Sequence, residues 1–261
     1  MVELTFLGSG GGRFMTITQK RGTGGFILKD DVKMHVDPGP GALLKSWEQD
    51  EDPRELDAIL LSHCHIDHTN DSSILIEAMT NGATQRRGVL IGSESAISGT
   101  DGGSTPFNFN ERFVERVETL SAGDETTVGN VSIRATPTIH SDPTTIGFKF
   151  TTSQGIVSYS SDTQFFPDLV KWHSDARVLI MCVTRPAKHR IPYHLTTTDA
   201  VKVALEVKPE VLVLTHIGMK FHLQGVEEER DAIEERTGIR TIVADEGKKL
   251  IIDGDAITTS L

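Results

Sequence analysis

The chain has 261 residues, 37 of them acidic against 26 basic, for a formal net charge of −11. This length supports one α/β domain able to bury its own core, and the acidic balance excludes a general attraction for nucleic acid while leaving room for a local anion site. Cys64 and Cys182 are too few and too far apart for a disulfide framework. No apolar run nears the roughly 20 residues of a membrane span, and Met1-Val2-Glu3-Leu4 lacks the basic start of a signal peptide, so a cytoplasmic location is expected.

Short apolar runs bounded by turn residues predict strands at 2–7, 25–29, 32–36, 57–62 and 88–92, with helical patterns at 41–48 and 71–80. Asn70 or Asp71 is placed to cap the second helix. The segment 93–111, rich in Gly, Ser, Thr, Asp and Asn, reads as a long loop. Strands follow at 114–119, 131–136, 146–151, 156–160, 178–183, 211–215 and 241–244, with Gly129-Asn130 as a hairpin turn. Helices are expected at 166–175, 197–207 and 226–236. No repeat or linker divides the chain, which reads as one domain over 1–261. Many strands with helices in both halves suit two sheets covered by helices on their outer faces.

Three of the ten histidines fall within six residues, in His63-Cys64-His65-Ile66-Asp67-His68, directly after the buried-strand pattern Ala58-Ile59-Leu60-Leu61. Imidazoles and carboxylates suit zinc, and also iron or manganese. His63 and His65 are two apart, so extended backbone sends both to one face, where they can share a metal, and Cys64 points away. Asp67 and His68 come where the chain turns into the helix and can address a second metal. Further ligand-type residues end later strands: His140, Asp162 and His216.

This motif is the HxHxDH signature of the metallo-β-lactamase superfamily, which the chain resembles over most of its length, with His140, Asp162 and His216 in the expected order. The resemblance implies an α/β fold, a four-layer αββα sandwich. It implies two divalent metal ions, zinc first, with Mn2+ or Fe2+ also suited. His63, His65 and His140 would hold the first; Asp67, His68 and His216 the second; Asp162 would bridge. Asp67 counts as catalytic as well as ligating, since a metal-bridging hydroxide is the implied nucleophile. Two divalent ions less Asp67, Asp162 and one hydroxide leave a charge of about +1, which suits a phosphodiester monoanion. Gly8-Ser9-Gly10-Gly11-Gly12 allows tight backbone bending, and Asp37-Pro38-Gly39 resembles the family's Asp-x-Gly turn that supports the metal-binding loop.

The branch is read from particular residues. Secreted β-lactamases have Cys where this chain has Asp162, the region after His216 is too short for a glyoxalase II extension, and His65 stands where flavodiiron reductases tend to have Glu. Tyr159-Ser160-Ser161-Asp162-Thr163 is similar to the Tyr-Ser-Gly-Asp-Thr of ribonuclease Z. His194-Leu195-Thr196 is similar to that family's His-Ser-Thr element, which implies a catalytic His194 donating a hydrogen bond or proton at the phosphate. The interval 141–161 is too short for a tRNA-clamping arm, as in the similar cyclic phosphodiesterase of phosphonate breakdown. Arg185, Lys188, His189 and Arg190 form a basic cluster fit for one phosphate. The expected function is a dinuclear metal phosphodiesterase acting on a small or nucleotide-derived phosphodiester. The alternatives are a tRNA 3′-processing endonuclease and a lactone or thioester hydrolase on the same site. RNA is less favoured as a partner, no membrane is expected, and a homodimer is allowed.

Overall fold

The central strands are apolar at nearly every position because both of their faces are covered, as expected for parallel strands inside a layered α/β fold. A computed structural model, describing residues 1–99, 110 and 112–260, arranges them in two eight-stranded sheets. The first runs β16 (Ala256–Ser260), β15 (Lys249–Asp253), β1 (Val2–Phe6), β2 (Phe26–Lys29), β3 (Lys33–Val36), β4 (Ala58–Leu61), β5 (Val89–Gly92), β6 (Arg116–Thr119). The second runs β14 (Arg240–Val243), β13 (Val211–Thr215), β11 (Ala176–Arg185), β10 (Gly155–Tyr159), β9 (Ile146–Thr152), β8 (Val131–Pro137), β7 (Glu125–Val128), with β12 (Leu195–Thr196) beside β11. Pairing is parallel from β3 to β6 and among β10, β11, β13 and β14.

Alternation along single strands shows how the layers stack. In β4, Ala58 and Leu60 enter the core between the sheets, while Ile59 and Leu61 face outward. In β11, Val178, Ile180 and Cys182 enter that core, while Leu179, Met181 and Val183 face the opposite way. The outer face of the first sheet is covered by α2 (Ala42–Glu48), α4 (Ser72–Met79) and α5 (Glu94–Ser98) through Ala42, Leu75, Ile76, Met79 and Ala96. The second is covered by α6 (Leu169–Trp172), α7 (Thr197–Val207), α8 (Met219–Gln224) and α9 (Val226–Thr237) through Leu169, Ala200, Val203, Phe221 and Ile233. Two short helices, α1 (Arg13–Thr18) and α3 (Ile66–Thr69), lie on loops at the strand ends. The result is the αββα sandwich.

Each of the twelve expected strands is present, and Gly129-Asn130 closes the β7–β8 hairpin across the pair Val128 and Val131. Four strands escaped the pattern search. Glu-Thr-Thr-Val in β7 and Ala-Ile-Thr-Thr-Ser in β16 are polar edge strands without an apolar period, β12 is two residues long, and β15 joins the sheet between β1, from the other end of the chain, and the polar β16. The loop expected over 93–111 begins instead with α5, whose Ser93 side chain accepts from the Ala96 amide; 100–109 and 111 lie outside the described residues. The helix expected at 166–175 contracts to Leu169–Trp172. Asp71 occupies the N-cap position of α4, but its carboxylate accepts from the Leu43 amide of α2 instead, tying the two helices together. No helix among the described residues is long and apolar enough to cross a membrane.

Two buried histidines make stability depend on acid. Burial lowers the pKa of His35 to about 4, and burial followed by the charge of Lys149 lowers that of His173 to about 3. Both stay neutral in the fold but take up protons near pH 6.5 once unfolded, so each contributes stability that is complete above pH 6.5 and lost as pH falls below it. At 1.4 kcal/mol per unit for each group, the two together should cost about 4 kcal/mol by pH 5. Urea midpoints measured from pH 7 to 5 should fall, and the slope should flatten in His173→Asn. An unchanged slope would show that His173 does not titrate on unfolding.

Candidate metal centre

Each candidate ligand is delivered by the carboxyl end of a strand, where the chain leaves the sandwich. His63 follows β4, His140 follows β8, Asp162 follows β10 and His216 follows β13. Three of the turns are taken by non-glycine residues in the left-handed region, Asp37 (φ 52), Ser161 (φ 53) and His216 (φ 58), and a fourth, Tyr193 (φ 66), directly precedes His194. Such conformations persist only where the surroundings impose them, and they gather at functional sites.

Together these turns gather all seven candidate ligands. One donor atom each from His63, His65, His140 and Asp162 lie within 4.8 Å of one another, and the same holds for Asp67, His68 and His216. His65 Nδ1 lies 2.9 Å from His63 Nε2 and 3.2 Å from His140 Nε2. The two groups meet at Asp162, whose Oδ2 is 3.9 Å from His140 Nε2, 3.8 Å from His68 Nε2 and 3.2 Å from His216 Nε2.

The far side of four of the five rings is tethered, which fixes their tautomers and their aim. His68 Nδ1–H donates to Asp37 Oδ2 at 2.9 Å, and His140 Nδ1–H to the Tyr193 carbonyl at 3.2 Å. Ser62 Oγ–H donates to Asp37 Oδ2 at 2.6 Å, so it accepts from His63 Nδ1–H at 2.9 Å. Thr184 Oγ1 lies 2.9 Å from His216 Nδ1. Asp37 also accepts from the Ser62 amide and the Tyr159 hydroxyl, at 2.7 and 2.8 Å. It therefore supports the loop from beneath, as its Asp-Pro-Gly turn suggested. Ser62 and Thr184 were not singled out from the sequence, and Tyr159 stood only as the first residue of the Tyr-Ser-Ser-Asp-Thr motif, without a role of its own; polar residues at the ends of apolar runs were the only other sign of them.

The glycine loop seals the other side. The Gly12 amide donates to Asp67 Oδ2 at 2.7 Å. A Cβ on Gly11 would come within 2.2 Å of the His216 ring, so only glycine allows that approach. Cys64 is half-buried, and its amide donates to Asp142 Oδ2 at 3.4 Å, away from the ligand groups.

The charges suit a cation. Burial pushes His63 far down, and His65 and His140 down as well, so these rings keep free lone pairs. Burial opposes the Asp162 carboxylate, yet His216, His194 and His68 hold it well below the usual range. His68 Nε2 and Asp162 Oδ1 are buried without a hydrogen-bond partner. A buried polar atom left in this way is costly, and His68 Nε2, 3.8 Å from Asp162 Oδ2, fits a divalent ion shared with that carboxylate.

His194 lies at the rim. Its Nε2 is 3.6 Å from Asp162 Oδ2, and its Nδ1–H donates to the Pro192 carbonyl at 2.9 Å. Burial works against its charge, but the bond to Asp162 outweighs this and raises its pKa. The expected basic cluster, by contrast, is divided. Arg190 is taken up by Asp199 in a two-pronged contact at 2.6 and 2.7 Å, and His189 Nε2 lies 3.1 Å from Gln224, leaving Lys188 and Arg185 without those neighbours' support.

Two sheets sandwiched between helices, with a His/Asp cluster at the strand ends, define a hydrolase of the metallo-β-lactamase fold. Residues 33–217, which include every candidate ligand, match the family described as β-lactamase superfamily domain, and the chain belongs to that family of metal-dependent hydrolases. It is 40% identical over 255 residues to the uncharacterized protein MJ1374 of Methanocaldococcus jannaschii, covering 95% of this chain and 94% of that one. The fold is also similar to the metallo-β-lactamase fold protein YhfI of Bacillus subtilis, with TM-score 0.79, 21% identity and coverage of 95% and 98% of the two chains. A diphosphatase of the PhnP family gives TM-score 0.71, 17% identity and coverage of 97% and 98%.

The Asp37 network has a measurable consequence. Asp37→Asn keeps the shape but removes the charge facing His68 and turns one acceptor into a donor. Metal affinity, measured by competition with a chelator, should fall about 10- to 100-fold. An unchanged affinity would mean that the tether to His68 does not support metal binding.

Proposed function

We propose that residues 1–261 act as one domain, a dinuclear zinc phosphodiesterase taking a small or nucleotide-derived phosphodiester. In this reading His63, His65 and His140 would hold one ion, Asp67, His68 and His216 the other, and Asp162 would serve both. When bound, the pair would lower the pKa of water and withdraw charge from oxygen at the reacting phosphate.

The chain's own residues supply the rest. Asp37, Ser62, Thr184 and the Tyr193 carbonyl keep the rings aimed, so little reorganisation is needed when substrate arrives. The Gly12 amide and His216 hold Asp67 in place. The observation that carries the phosphodiester reading is His194. It stands outside both ligand groups, its Nε2 faces the centre, and Asp162 favours its protonated form. A proton held there suits an alkoxide leaving group. That one fold neighbour is a diphosphatase agrees with chemistry at phosphate.

The test is metal analysis of the purified protein, followed by a panel of chromogenic phosphodiesters, lactones and thioesters. About two transition-metal ions per chain and a preference for phosphodiesters are expected. A fully loaded protein that prefers a carbonyl substrate would overturn the reading in favour of a lactone or thioester hydrolase.

A further inference from the structure

Most positive side chains in this acidic protein are engaged by a carboxylate or a carbonyl. Among the described residues Arg13, Lys20, Arg185, Lys188, Lys208, Lys220 and Arg236 have neither a side-chain hydrogen bond nor an ion pair; Arg185 Nε is buried without a partner, and the other six residues are exposed. All but Lys208 and Arg236 belong to three stretches, 4–29, 176–198 and 211–226, that contain none of the chain's 37 acidic residues.

These stretches meet. Gly10 pairs with Ile217, and Arg21 Nε donates to His222 Nδ1 at 3.2 Å, joining the α1 region to α8. Burial first, then the charges of Arg21 and Lys20, lower the pKa of His222, which sets Lys20 beside α8 as well. The Gly218 amide donates to the Thr184 carbonyl at 3.2 Å, and Gln224 touches His189, joining α8 to the segment that leads to His194. Each stretch also reaches the centre. Arg13 follows Gly12, the partner of Asp67; Lys220 is four residues past His216; Arg185 follows Thr184, which lies against His216. The segments carrying these cations thus border one side of the metal centre, and the acids that reach them from elsewhere, Asp245 and Glu246, are engaged by Arg21 and the Gly22 amide.

We infer that this border is a second anion subsite, which takes a phosphate of the substrate other than the one cleaved. The inference rests on the phosphodiesterase reading and narrows it to substrates with at least two phosphates. The net charge of −11 does not oppose this, because exposed charges beyond about 10 Å are screened at ordinary salt and the local set decides. The second phosphate could be a terminal monoester or the next phosphodiester of an oligonucleotide; both present the same anionic oxygens to Lys20 and Lys220.

The experiment compares the metal-loaded enzyme on thymidine 5′-(p-nitrophenyl phosphate), on the same compound with a 3′-phosphate, and on 5′-p-nitrophenyl oligothymidylates. At low salt the added phosphate should raise kcat/KM about tenfold, the sum of a few partly exposed ion pairs, mainly through KM. The gain should shrink at 0.5 M salt. A gain complete with one added phosphate identifies a terminal group; one that grows with length identifies consecutive phosphates. The double variant Lys20→Gln, Lys220→Gln should lose the gain, and Lys20→Arg, Lys220→Arg should keep it, which separates charge from folding. Equal kcat/KM on the first two substrates, or a gain that survives in the glutamine variant, would overturn the subsite while leaving the phosphodiesterase reading intact. Failure to cleave any of the three by a loaded enzyme active on lactones or thioesters would overturn both.

Discussion

Asp162→Ala should lose metal and activity together. The carboxylate lies fully buried between the two ligand groups, with Oδ2 3.2 Å from His216 Nε2 and 3.9 Å from His140 Nε2. Its removal takes away the negative charge that faces both groups, so positive ions brought there would lie against imidazoles with Asp67 as the remaining carboxylate. Activity should drop below about 10⁻⁴ of the parent, beyond the range of acid–base assistance, and metal analysis should find less than one ion per chain. A variant retaining two ions with near-parental turnover would remove Asp162 from the ligand set. Asp162→Asn serves as a control for folding, since it keeps the shape and one acceptor.

His194→Ala should behave differently, because His194 stands outside both ligand groups. Both ions should remain while turnover falls by about 10²–10⁴, the usual size of general acid–base assistance. The fall should be large for alkyl leaving groups and small for p-nitrophenolate, which departs without a proton. Loss of one metal ion in this variant would make His194 a ligand. An equal fall on poor and good leaving groups would make it a binding residue rather than an acid. Tyr193 bears on the same point: its strained backbone links His140, through its carbonyl, to the adjacent His194, so loosening this loop should disturb both.

What the sequence by itself determined is the chemistry that a strand end can announce. His63 to His68 span six residues and follow an apolar run, so the spacing of His63 and His65 alone places two rings on one face. His140, Asp162 and His216 each follow a strand, of which only the one before His216 is apolar on both faces; β8 alternates with Ser132 and Arg134, and β10 carries Ser158. The supporting groups were less visible. Ser62, Tyr159 and Thr184 are ordinary polar residues by type, and their value comes from hydrogen bonds spanning 25 to 122 positions, Ser62 and Tyr159 to Asp37 and Thr184 to His216. Edge strands such as β7 and β16 were hidden because their neighbours, not their own residues, make them strands. The local run Arg185, Lys188, His189, Arg190 looked like a single basic cluster. Only the tertiary structure decided that Arg190 is taken up by Asp199 and that the segments carrying Lys20 and Lys220, distant in sequence, meet through Gly10 with Ile217 and Arg21 with His222. The physical reason is that charge acts through space over several ångströms, while the chain orders residues only along its own length.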